Sequence, residues 1–151
     1  MQYSEGKIGR VFVLRLEDGE RLPEVIEEFA ANHHIAGGMV IYVGGAQHGS
    51  RLVVGPEAGQ GDGIIPLIHS LQGIQEVLGV GTLFPGEAGK PVLHMHAATG
   101  REGEATVGCT RAGVEVWLVG EVVLLEILGT EGQRKKTPPS EFQLLQLPLT
   151  K

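Results

Sequence analysis

Apolar positions along this chain fall in short blocks separated by Gly, Pro and charged residues, the pattern of a strand-rich fold. Val11 to Leu16 is apolar and β-branched and stops at Glu17-Asp18-Gly19-Glu20, which predicts a first strand and a turn. Leu22, Val25, Ile26, Phe29 and Ala30 then recur at helical spacing. Pro23 suits the first turn of that helix, Glu24, Glu27 and Glu28 form its wet face, and Asn32-His33-His34 closes it. Further strands are predicted over 35–45, 51–54, 64–70, 74–84 and 105–110, with Gly79 and Gly81 flattening or bulging the fourth of these. Val114 to Leu128 is the longest apolar stretch and predicts a central strand bent near Gly120. Residues 55–63 read as a loop, 85–90 as a hairpin loop, 99–104 as a polar connection and 111–113 as a turn. After Gly129 the chain carries Pro138, Pro139 and Pro148, so it is expected to wrap the surface, docked by Phe142, Leu144, Leu145 and Leu147.

Between the hairpin loop and the polar connection lies Pro91-Val92-Leu93-His94-Met95-His96-Ala97-Ala98. Side chains alternate across a sheet, so Leu93, Met95 and Ala97 share one face and His94 and His96 the other. Two imidazoles on one face are close enough to share a ligand, and imidazole is a common metal ligand that titrates near neutral pH. The working centre of the protein is expected here. The strand should pair antiparallel with the one before the hairpin loop.

Many antiparallel strands with one main helix make an α+β fold, and no linker splits residues 1–151 into two domains. Apolar residues on both faces of a small sheet suggest that another subunit covers one of them. The net charge of −6, from 12 Lys and Arg against 18 Asp and Glu, disfavours unaided DNA binding, which draws its affinity from basic side chains. Arg134-Lys135-Lys136 is the one basic cluster. A single cysteine, Cys109, excludes an internal disulfide and fits a reducing cytoplasm. The N-terminal residues lack the layout of a signal peptide, and no apolar run is long enough for a membrane span, so a cytoplasmic protein is expected.

Several short motifs carry a family resemblance. They are Ile-x-x-Gly at Ile35 to Gly38, Gly-Gly-Ala at Gly44 to Ala46 and Ser-Leu-x-Gly at Ser70 to Gly73. Pro-x-x-His-x-His at Pro91 to His96, Thr-Val-Gly at Thr106 to Gly108 and Leu-Glu-Ile at Leu125 to Ile127 follow. In this order, over Gly9 to Leu128 with a tail at 129–151, the chain resembles the plants-and-prokaryotes-conserved (PPC) domain. That resemblance implies a homotrimer. It also implies paired histidines as metal ligands in some prokaryotic members, and DNA binding by analogy with plant proteins that carry AT-hooks. Two departures stand out. Where many members have Gly-Gly-His after Thr-Val, this chain has Gly108-Cys109-Thr110, so the third histidine is missing and Cys109, beside the vacant position, could substitute as thiolate. No Arg-Gly-Arg-Pro hook is present.

These features favour a binding or regulatory module over an enzyme, with zinc or another divalent metal, or a small ligand, held at a cleft by His94 and His96. Cys109, His69, His48 or a residue of a neighbouring subunit would add the third ligand. The plain alternative is a pair of hydrogen-bonded, metal-free imidazoles at a cleft or trimer seam. A DNA-binding regulator is the second reading. A metal-assisted hydrolase with Glu102 or Glu126 as general base is the third. Glu121 and Glu126, inside an apolar strand, need partners, and Arg15 or a histidine is the expected one. Cys109 also reads simply as a small buried residue, and His33 and His34 as side chains turned to terminal helix carbonyls. Arg101, Glu102 and Glu104 read as a solvated loop.

Overall fold

The computed structural model describes residues 1–57, 64–137 and 140–148. In chain order its elements are β1 (Lys7–Glu17), β2 (Arg21–Leu22), α1 (Glu24–Asn32), β3 (Gly38–Ala46), β4 (Arg51–Pro56) and β5 (Pro66–Ser70). β6 (Gln75–Pro85), β7 (Pro91–Arg101), β8 (Glu104–Cys109), β9 (Val114–Leu128), β10 (Gln133–Thr137) and β11 (Ser140–Gln146) follow. A single 3-10 turn, Thr110–Ala112, joins β8 to β9. One antiparallel sheet runs β1-β9-β3-β6-β7-β8-β4-β5, with β2 added beside the start of β9. The fold is therefore mostly antiparallel sheet with one helix. No α-helix among the described residues is long and apolar enough to cross a membrane.

One face of the sheet is the core. Val40, Tyr42, Leu83, Leu93, Met95, Val122 and Leu124 are buried on it, and α1 lays Ile26 and Ala30 against them. At the centre the Tyr42 hydroxyl donates to the Gly45 carbonyl at 3.1 Å, and burial pushes its pKa up to about 12. A Cβ on Gly120 would fall 2.6 Å from the Tyr42 ring, so this position on β9 admits only glycine without a shift. Next to it Gly44 pairs with Gly120 and Gly45 with Trp117, which leaves Leu118 and Val119 as a bulge in β9. Leu118 takes a positive φ of 63°, and its N–H donates to Asp18 Oδ1 at 2.7 Å. The bend expected near Gly120 is this bulge.

The opposite face is apolar and open. Val13, Val123, Ile41, Val80 and His96 form one cross-strand row, and Arg15, Glu121, Val43, Leu78, Ala98 and Val107 form another. Val13 is 79% exposed, Leu78 58% and Val107 62%, whereas the core residues of the same strands are sealed. Contiguous apolar surface of this kind marks an interaction face in soluble proteins.

Four expectations are corrected. Gly79 and Gly81 cause no bulge, because β6 and β7 stay in continuous register from Glu76 to Pro85; they leave room for Met95 instead, whose Cβ would lie 2.7 Å from a Cβ on Gly81. The polar connection at 99–104 is shorter, since β7 reaches Arg101 and only Glu102 and Gly103, both with positive φ, make the turn into β8. The tail folds into its own hairpin, β10 with β11, and Pro138 and Pro139 lie outside the described residues, as do 58–63 of the loop at 55–63. Finally, Glu126 pairs with Arg10, not Arg15.

Arg10 donates to the Glu126 carboxylate from Nε at 2.8 Å, from Nη2 at 2.6 Å and from its backbone N–H at 3.0 Å. Glu126 is 5% exposed, so this trio of donors replaces the water it lost. Arg15, placed opposite the exposed Glu121, forms its ion pair with Glu17. Hydrogen bonds from the Arg10 side chain, then from its backbone, hold the Glu126 pKa down to about 2 against a usual 4.5. Because the folded value is the lower one, the unfolded chain takes up the proton first on acidification. The contribution is complete above about pH 4.5 and disappears as pH falls towards 2. Urea unfolding at pH 5 and pH 3 is the check: the midpoint should drop less between the two for Glu126→Gln than for the native chain, and equal drops would refute the assignment.

Candidate metal centre

β7 is positioned by its inner face. Leu93, Met95 and Ala97 are buried in the core, which forces His94, His96 and Ala98 outwards. His94 stands opposite Thr82 on β6, and His96 stands between Val80 on β6 and Cys109 at the end of β8. The two Nε2 atoms lie 3.2 Å apart, with ring centroids at 5.0 Å and planes at 81°. Directly opposed residues of an antiparallel pair point the same way, so Cys109 joins the imidazoles. The two imidazole ligand nitrogens and the Cys109 Sγ all lie within 4.8 Å of one another. Thr110, the next residue, anchors this end of β8 by donating from Oγ1 to the Met95 carbonyl at 3.3 Å.

The spacing suits a shared ion. Two nitrogens each about 2.0–2.1 Å from a tetrahedral zinc are separated by about 3.3 Å, close to what the imidazoles already adopt. The same 3.2 Å also serves an N–H···N hydrogen bond between a donor and an acceptor tautomer. The His94 ring keeps contact with solvent, yet the cleft walls strip it of enough water to push its pKa below 6.5, with Arg134, His96 and Arg111 adding to the effect. Neutral imidazole, the form that binds metal, is thereby favoured at pH 7.

A cleft of about 710 Å³ opens beside this group, with His94, Cys109, Glu27, Arg111 and Arg134 among its lining residues. A smaller hollow of about 160 Å³, against Val53, His96 and Cys109, adjoins it. Arg111 lies over the Phe142 ring at 4.3 Å, which ties the tail hairpin to the cleft. Glu27 belongs to this wall rather than to the wet face of α1. Below His96, β7 has no β8 partner, and Glu27 Oε1 accepts the Leu93 N–H left open there at 2.8 Å. Burial pushes the Glu27 pKa up, while the Leu93 bond and Arg134 partly offset it.

Other candidates lie elsewhere. His48 is an exposed turn residue whose Nδ1 accepts from the Gly73 N–H at 3.0 Å, and His69 is exposed on β5; neither belongs to the His94, His96 and Cys109 group. The His33 ring packs on Phe29 at 4.2 Å rather than on helix carbonyls. Glu102 pairs with Arg101 at the far end of β7, and Glu126 is held by Arg10, so neither suggested general base faces the imidazoles. The basic cluster is also divided: Arg134 is 2% exposed and turned inwards, so it is no surface patch. Glu27, Arg111, Arg134 and Phe142 were not anticipated as cleft residues. No sequence signal marks Arg134, because every side chain of its strand is polar or charged.

Residues 3–128 match the model of the Plants and Prokaryotes Conserved (PCC) domain. A plant- and prokaryote-conserved protein of Pyrococcus horikoshii has a similar structure, with a TM-score of 0.83, 23% identity, and coverage of 99% of this chain and 100% of that one. The metal-containing protein AF0104 of Archaeoglobus fulgidus gives a TM-score of 0.79 and 24% identity over 98% of this chain and 99% of its own. A Ralstonia eutropha protein provisionally named as DNA-binding gives 0.70 and 19% over 90% of each chain. Among curated proteins no match is found.

Truncation tests the role of Glu27. Glu27→Ala leaves the Leu93 N–H without its acceptor and should cost about 1–3 kcal/mol in urea unfolding, whereas Glu27→Gln, which keeps an oxygen in place, should cost well under half of that. Equal losses in the two variants would mean that the hydrogen bond is not what Glu27 contributes.

Proposed function

Because this chain belongs to the plants-and-prokaryotes-conserved domain family, we propose that it is a binding or regulatory module that holds a divalent metal ion, zinc before others, on His94, His96 and Cys109. The observation that carries this reading is the convergence of two imidazole nitrogens 3.2 Å apart with a thiol opposite one of them. Two nitrogens and one sulfur are a donor set that zinc accepts, and such a set leaves a fourth position for water or a ligand from the cleft. The ion would supply charge and a Lewis-acidic anchor there. This chain's residues orient it: the buried Met95 and Thr110 fix the strands that carry the donors. The A. fulgidus protein's description as metal-containing supports the reading by analogy.

Elemental analysis of protein purified without a nickel column is the test. At least one zinc or comparable ion per three chains is expected, falling below one-tenth of that in His94→Ala/His96→Ala and substantially in Cys109→Ser. A native protein no richer in metal than the double variant would leave the imidazoles as a hydrogen-bonded pair.

The assembly we propose is a cytoplasmic homotrimer, with the open apolar face covered by further copies of the chain. Its support is the run of exposed Val and Leu across several strands of that face. Light scattering should then give three times the 16.0 kDa chain mass, and Leu78→Glu should reduce it to one chain with the far-ultraviolet spectrum unchanged. A native monomer, or a variant that stays trimeric, would move the interface elsewhere or abolish it.

Neither alternative gains from the cleft. DNA binding, the provisional name of one structural relative, faces a net charge of −6 and a basic cluster whose first member is buried. A hydrolase would need a general base at the imidazoles, and the nearest cleft carboxylate, Glu27, is committed to a backbone N–H.

A further inference from the structure

Arg134 is the least expected residue of the cleft. Its side chain is 2% exposed, and its Nε donates to the Val92 carbonyl at 3.2 Å. Nη2 donates to the Thr82 carbonyl and to Thr82 Oγ1, both at 2.8 Å. All three acceptors are neutral. No carboxylate lies within ion-pair distance of this guanidinium among the described residues. A guanidinium stays protonated even where burial lowers its pKa, so Arg134 is a desolvated cation with no counter-ion in contact, and Glu27 acts on it only from across the cleft. Such an arrangement is unfavourable on its own account.

Nη1 donates none of these bonds. No buried side-chain nitrogen or oxygen of the described residues lacks a partner, so Nη1 is not sealed from solvent, and Arg134 lines the cleft. A fixed cation with spare donor hydrogens thus lines a cavity of about 710 Å³, a size that suits a small organic molecule. Val92, Phe142, Leu144 and Leu145 form apolar parts of the same wall. Glu27 is the single acidic residue there, and it would oppose a ligand carrying more than one negative charge.

We propose that this cleft binds a small amphipathic monocarboxylate, its carboxylate on Arg134 Nη1 and its apolar body against Phe142, Leu144 and Leu145. The ligand supplies a counter-charge in direct contact, and a charge-assisted bond formed away from bulk water is among the strong ones. This inference rests on reading the cleft as a ligand site, but its anchor is Arg134, not the metal donors.

The probe is octanoate, titrated calorimetrically into the full chain both zinc-loaded and chelator-treated, with octan-1-ol and inorganic phosphate as comparisons. Saturable binding of octanoate is expected, at least tenfold tighter than either comparison, and weakened about ten- to hundredfold by Arg134→Gln. Equal binding of octan-1-ol would mean apolar partitioning, equal binding of phosphate a general anion site, and either overturns the proposal, as does no octanoate binding. Should Arg134→Gln fail to fold, Phe142→Ala decides: octanoate must weaken at least fivefold while acetate does not change, and no change for octanoate refutes the site. Octanoate bound by a protein that never carries zinc would remove the metal reading and keep this one. Zinc present with octanoate unbound does the reverse.

Discussion

The pleat of β7 governs this molecule's chemistry. Leu93, Met95 and Ala97 are sealed beneath the sheet, and Met95 fills a space kept open by Gly79 and Gly81 on the neighbouring strand. A slip of one residue would turn these three into solvent and drive two imidazoles into the core, which several kcal/mol of lost apolar burial and polar desolvation forbid. The histidines therefore face outwards because the core has no alternative register. Their mutual approach follows from packing on the other side of the strand, so no contact among the polar groups themselves is needed to set it.

Fold and imidazole pair were legible for this reason. Period-two alternation around His94 and His96, helical spacing from Leu22 to Ala30 and the long β-branched run after Val114 are local signals, and each matches an element. The family resemblance, resting on Pro91 to His96 and Thr106 to Gly108, is matched by the domain model over residues 3–128. Cys109 was reachable as well, since a strand following the hairpin brings it back beside the histidines. What stayed hidden were the groups whose roles depend on distant strands. Glu126 meets Arg10 rather than Arg15 because the β1–β9 register sets Arg15 opposite Glu121, on the other face of the sheet, and no local pattern announces a register. Glu27 looked like any solvent-facing helix carboxylate. Its role arises only because β8 ends at Cys109 and leaves the Leu93 N–H open.

Arg134 is the clearest case. In Gln133 to Thr137 every side chain is polar or charged, so hydropathy predicts no buried member. The strand is nevertheless folded over the β6–β7 hairpin, and the inward position falls to an arginine whose donors meet the Thr82 and Val92 oxygens. An aliphatic residue would have closed that gap at less cost in desolvation. The arginine keeps the tail in place through hydrogen bonds and leaves positive charge in the cleft. The tail thus completes a wall of the site rather than wrapping the surface.

That charge bears on any ion held by Cys109 and the imidazoles. A centre of three neutral imidazoles would leave both charges of a divalent ion uncompensated, next to Arg134 and Arg111 and with Glu27 as the one acidic wall residue. In the proposed centre a metal-bound Cys109 sulfur would remove one of those charges. Soft sulfur also shifts preference towards zinc and away from oxygen-seeking ions. Cysteine on β8 and arginine on β10 are therefore compatible as a pair in a way that histidine and arginine would not be. In the proposed centre the sulfur donor and the buried cation would be two sides of a single electrostatic balance in the cleft.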